Sequence, residues 1–109
     1  MVKENNYSNQ KFVSLSELMA KELPPIRWLI DGLVPEEGMV VLAGMSGSYK
    51  TWLVMSMAIA VAAGQDFLDI FSTQQTGVLI IDEESGERLY SERFKLLTDR
   101  EDLPIYYCL

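Results

Sequence analysis

The chain has 109 residues, 49% of them hydrophobic, with a net charge of −7 and a pI near 4.4. That length allows one domain at most, and the acidic balance offers no global basic face, which weakens the case for DNA binding by this segment itself. Cys108 is the only cysteine and histidine is absent, so a disulfide framework, a cysteine metal cluster, zinc chemistry and histidine-based acid–base catalysis are excluded.

The N-terminus, Met1-Val2-Lys3-Glu4-Asn5-Asn6, is polar and lacks an apolar signal core, so a reducing, cytoplasmic setting is the default expectation. Residues 1–13 read as a loose polar tail. Ser14-Leu15-Ser16-Glu17 predicts a capping box, because a serine hydroxyl and a glutamate carboxylate three residues apart can satisfy the orphan N–H groups of a helix start. The short helix it opens runs to about Glu22 and is ended by Pro24-Pro25. Residues 1–24 thus form a tail and short helix, set apart from residues 25–109. Ile26 to Pro35 reads as one extended segment bounded by prolines, and Glu36-Glu37-Gly38 as a turn. Met39 to Ala43 has no polar alternation and predicts a buried strand of the central parallel type.

The loop after that strand, Gly44-Met45-Ser46-Gly47-Ser48-Tyr49-Lys50-Thr51, carries the chemistry. Gly44 and Lys50 stand at the two ends of a G-x-x-x-x-G-K-[ST] pattern, with Thr51 next, whereas Tyr49 occupies the place of the second glycine. A triphosphate needs several donors converging on its oxygens, and consecutive backbone N–H groups in a tight loop supply them. The N-terminus of the following helix adds unsatisfied N–H groups and a favourable dipole end. Lys50 would bring a point charge to the β- and γ-phosphates, and the Thr51 hydroxyl a ligand for Mg²⁺. Small residues at Gly44, Ser46, Gly47 and Ser48 allow close backbone approach, with Gly47 free to take positive φ. The Tyr49 side chain must point away from the phosphates. The bland alternative is a strand-to-helix turn with Lys50 merely solvated.

From Lys50 to about Ala63 the sequence is apolar nearly all round, which predicts a helix buried on most sides with its Met and Trp side chains in the core. It is too short to span a bilayer, and Gly64 is a natural C-terminal cap. Gln65 to Gly77 is a connection with a possible turn at Asp66-Phe67-Leu68, and Val78 to Asp82 is a second buried strand. Residues from Ser85 to about Leu97 read as a helix with Leu89, Phe94 and Leu97 on one face, and Pro104 to Leu109 as a third strand. Strand–helix–strand–helix–strand predicts an α/β fold with a parallel sheet and flanking helices.

Asp82-Glu83-Glu84 closes the second strand at its carboxyl end, the side on which open α/β sheets bind ligands. A carboxylate there can orient and deprotonate the water that attacks a γ-phosphate. The alternative is that Glu83 and Glu84 cap the next helix, where negative charge favours the dipole.

The run Trp28-Leu29-Ile30-Asp31-Gly32-Leu33-Val34-Pro35-x-x-Gly38, the segment Leu42 to Leu53, Ala62-Ala63-Gly64 and Gly77 to Glu84 together resemble RecA-like AAA-type P-loop ATPases. These are relatives of the plasmid RepA hexameric helicases and of the DnaB-type helicase core, and the resemblance covers roughly residues 25–97. It implies that Gly44 to Thr51 is a Walker A loop binding ATP, with Lys50 on phosphate and Thr51 on Mg²⁺. Glu84 matches the catalytic glutamate, Glu83 does not, and an aromatic residue in the place of Tyr49 is a variant familiar in such loops. Residues 25–109 are then the N-terminal part of a RecA-like core that stops before its Walker B strand. The parent is expected to be a homo-oligomeric ring, a hexamer, that hydrolyses ATP to act on DNA as a helicase or a replication or recombination motor. Its DNA-contacting loops and the arginine finger from a neighbouring subunit are expected beyond Leu109, so that this chain alone is inactive. A nucleotide-binding regulatory module with little turnover is the alternative.

Overall fold

The computed structural model describes residues 12–45, 47 and 49–109, so the sequence expectations for residues 1–11, Ser46 and Ser48 lie outside the described residues. Helix α1 spans Leu15–Ala20, and Ser14 Oγ caps it by accepting from the Glu17 N–H at 3.2 Å. It ends at the Lys21 cap, ahead of the prolines.

Strands β1 (Trp28–Ile30) and β2 (Val34–Pro35) form an antiparallel hairpin, where the sequence suggested one continuous extended segment. The reversal is at Asp31-Gly32-Leu33. Gly32 takes φ 76 there, a left-handed conformation that costs glycine nothing, and Leu33 N–H bonds Ile30 O at 2.9 Å. The 65–77 connection returns to this hairpin. It folds back at Phe67 and Phe71, then bonds beside β1 through Asp31 N–H to Ser72 O and Gln74 N–H to Leu29 O. The turn lies one residue on from the expected place, at Leu68 and Asp69, both of which have positive φ.

Helix α2 (Lys50–Ala63) is the hub of the molecule. Ala60 and Val61 pack with Ile30 and Phe67 in one cluster, while Met55 packs with Ile80 and Tyr90 in another. Gly64 ends α2 at φ 70, as its position suggested, and a Cβ there would lie 3.0 Å from Gln75 Cβ. Gln75 Nε2 donates to Ala62 O at 3.0 Å and satisfies one of the carbonyls that a helix end leaves orphaned. Trp52 departs from expectation: it is half-buried and outside both core clusters.

Strands β3 (Val78–Ile80) and β4 (Ile105–Tyr107) pair in parallel, Ile80 opposite Tyr107, with helix α3 (Gly86–Leu97) between them in sequence. Leu89, Phe94 and Leu97 face the Met55–Ile80–Tyr90 cluster, the shared face their spacing predicts. Helices and a small parallel sheet make this an α/β fold.

Two strand expectations need correction. Met39 to Ala43 is not a strand, and its side chains are exposed, Met39 by 90% and Val41 by 81%. A central strand exists through the ladder on each side of it, and β3 and β4 bond only to each other. β3 is also covered on one face only. Ile80 is buried under α2 and α3, whereas Leu79, pointing the other way, is 62% exposed.

Candidate phosphate-loop site

Among the described residues of the loop from Gly44 to α2, Gly47 at φ 79 and Tyr49 at φ 63, ψ 21 are left-handed. Gly47 takes the positive φ expected of it. Tyr49 adopts, at the N-cap of α2, the conformation for which the pattern places a glycine. Its ring is 74% exposed and its carbonyl accepts the first helical bond, from Leu53 N–H at 3.1 Å. Lys50 folds back across the loop, so that its ammonium donates to Gly44 O and, at 3.0 Å, to Met45 O. This ties the start of the loop to the start of the helix and brings the charge inside the arc. The side chain is not simply solvated.

A cavity of about 470 Å³ opens beside the loop. Gly47, Tyr49, Lys50, Thr51 and Trp52 line it from the loop and the start of α2, together with Glu84 and Arg93. Of the sequence-predicted site residues, the structure therefore brings Gly47, Tyr49, Lys50, Thr51 and Glu84 to one cavity, with Gly44 engaged through Lys50. Ser46 and Ser48 lie outside the described residues. Larger hollows, of about 820 and 780 Å³, lie between α3 and β4 and beside the β1–β2 hairpin, and neither touches the loop.

The acidic trio divides its work. Asp82 Oδ1 accepts from the N–H groups of Glu84 at 2.8 Å and Ser85 at 3.1 Å, and Oδ2 accepts from Tyr90 OH at 2.6 Å. Tyr107 OH donates to the Asp82 carbonyl at 3.1 Å. These bonds favour the charged carboxylate, that from Tyr90 most, and hold its pKa at about 2. Burial, together with the Asp82 charge, pushes the Tyr90 phenol up. Asp82 thus orders the turn that leads into α3 and holds Tyr90 of that helix, whereas the N-cap of α3 is Ser85, which makes no side-chain bond, and not Glu83 or Glu84. Both glutamates are exposed, and Glu84 alone of the two lines the cavity.

Trp52 and Arg93 are the cavity residues that sequence reasoning missed. The Arg93 guanidinium carbon lies 4.6 Å from the centre of the Trp52 ring, a cation–π contact joining α3 to the first turn of α2. A signal was available. Arg93 falls four residues after Leu89, at the edge of the apolar face of α3, from which a long amphipathic side chain reaches across to a neighbouring helix.

The described residues contain no helix long and apolar enough to cross a membrane, and no cluster of three or more metal-ligating side chains. No curated protein and no solved structure matches the chain. The model of the AAA domain family matches residues 4–108, nearly the whole sequence, and the chain accordingly belongs to that family of nucleotide-binding ATPases.

Proposed function

We propose that the Gly44–Thr51 loop holds the phosphates of ATP and that the chain is the nucleotide-binding part of a RecA-like ATPase. The observation that carries this reading is Lys50, whose ammonium folds back onto the carbonyls of Gly44 and Met45 at the N-terminus of α2 and which lines one cavity with Glu84. The residues suit a polyphosphate. Gly47 presents backbone with no side chain in the way, α2 offers the N–H groups of its first turn, and Lys50 and Arg93 supply positive charge. Tyr49 is exposed to solvent and not packed into the protein. Thr51, which lines the cavity, would ligate Mg²⁺, which when bound neutralises charge on the phosphates. Glu84, held by a backbone bond to Asp82 and exposed at the cavity wall, is the carboxylate to orient and deprotonate an attacking water. The resemblance in the sequence extends the proposal to a homo-oligomeric ring that acts on DNA, helicase-like, through regions outside these residues.

Titration calorimetry with Mg-ATP tests the site. Lys50→Ala weakens binding by about 2 kcal/mol or more, the size of a charge-assisted phosphate contact. Glu84→Gln retains affinity and lowers turnover, where turnover is measurable, by on the order of 10²-fold. Equal affinity in the parent and Lys50→Ala contradicts the phosphate-loop reading. Turnover indifferent to Glu84→Gln supports the regulatory-module alternative.

A further inference from the structure

Arg93 is the charged group of α3 that lies over an aromatic ring. Among the described residues no hydrogen bond or ion pair engages its guanidinium, although Glu84 lines the same cavity. What holds it is the face of Trp52. A guanidinium lying over an aromatic ring keeps its N–H donors free around its edge, a planar fork suited to phosphate oxygens. The indole belongs to the first turn of α2, two residues after Lys50, so the stack brings the fork to the mouth of the phosphate loop. Lys50 and Arg93 are thus two cations lining one cavity: Lys50, from α2, is engaged by the loop carbonyls, and Arg93, from α3, by the Trp52 ring.

We infer that Arg93, positioned by Trp52, is a phosphate-binding residue supplied by the same chain, and that it reads the outermost phosphate of a nucleoside triphosphate. This rests on the proposed phosphate-loop reading and adds to it a determinant for triphosphate over diphosphate. The loop and Lys50 would grip the phosphates common to both. A ligand lacking the last phosphate would leave the α3 wall untouched, so the two cations have separable effects.

The test is a titration of the chain with Mg-ATP and with Mg-ADP, followed by Trp52 fluorescence in a Trp28→Phe background. Mg-ATP changes Trp52 emission more than Mg-ADP does, because only the triphosphate engages the cation stacked on the indole. Arg93→Ala lowers ATP affinity about tenfold or more and leaves ADP affinity within about threefold. Lys50→Ala lowers both. Arg93→Gln, closer in size, gives the same ATP-selective loss, and its melting temperature, compared with the parent's, separates ligand loss from misfolding. Equal loss of ATP and ADP affinity in the Arg93 variants, or no loss in either, overturns the inference while the Lys50 result leaves the phosphate loop standing. Failure of the parent to bind either nucleotide, or indifference to Lys50→Ala, removes the underlying reading and the inference with it.

Discussion

A left-handed backbone costs a residue with a Cβ about 1–2 kcal/mol, and Tyr49 adopts one at φ 63 where the loop enters α2. The position was legible in the sequence, because the pattern asks for glycine where the chain must turn this way. The exposed ring was legible too, since a side chain directed inward would compete with phosphate. Tyr49→Gly relieves the backbone but gives the unfolded chain more freedom, and the two effects differ by about 1 kcal/mol or less. Stability measured by urea denaturation therefore changes by no more than about 1 kcal/mol, and Mg-ATP affinity is kept or improved. Tyr49→Val, β-branched and poorly suited to positive φ, destabilises the protein by about 1 kcal/mol or more. Loss of nucleotide affinity in Tyr49→Gly would mean that the ring itself makes a contact. Arg93 and Trp52 were less legible. Their contact joins two helices about 40 residues apart in sequence, and neither belongs to a local pattern.

Helix α3 shows how an element is fixed from outside its own span. Its start was legible to within a residue, and its apolar face through Leu89, Phe94 and Leu97, but its anchor was not. The anchor is Asp82 receiving the Tyr90 hydroxyl, with Tyr107 from β4 bonding the Asp82 carbonyl, and these are tertiary facts. Asp82 titrates at about 2 in the folded chain, below its ordinary 3.8. A depressed carboxylate stabilises the fold above its unfolded pKa, and that contribution disappears as pH falls through the folded value. The loss accordingly runs from about pH 4 to about pH 2. For a solvent-screened carboxylate it amounts to about 1 kcal/mol. Asp82→Asn destabilises the protein at pH 7 by about 1–2 kcal/mol and removes this part of the acid limb, as denaturation across pH 2–7 would reveal. An unchanged acid limb in the variant would mean that Asp82 does not anchor α3.

At the scale of the whole molecule, α2 divides two small cores, one with the β1–β2 hairpin and one with β3, β4 and α3. The radius of gyration is 19.1 Å, against about 13 Å for a compact domain of this length. The parallel pairing of β3 with β4 and the helix between them were legible, because apolar runs alternate there with a helical pattern. Met39 to Ala43 was misread because an apolar, β-branched run reports only a willingness to be a strand. The ladder that makes it one is a property of its neighbours. The described part of the candidate loop does not depend on such a strand, because its geometry comes from Gly47, Tyr49 and the Lys50 bonds to Gly44 and Met45.

The central claim is that Mg-ATP binds at this loop, between the start of α2 and the start of α3. A two-dimensional amide NMR titration of the chain with Mg-ATP tests it most directly, since every backbone N–H reports its own position. The account predicts the largest shifts at Gly44 to Thr51, with further shifts at Glu84 and at the Trp52 indole N–H, while Trp28 to Pro35 stays unmoved. Shifts centred on that hairpin or on the hollow between α3 and β4, or none at millimolar nucleotide, would contradict it.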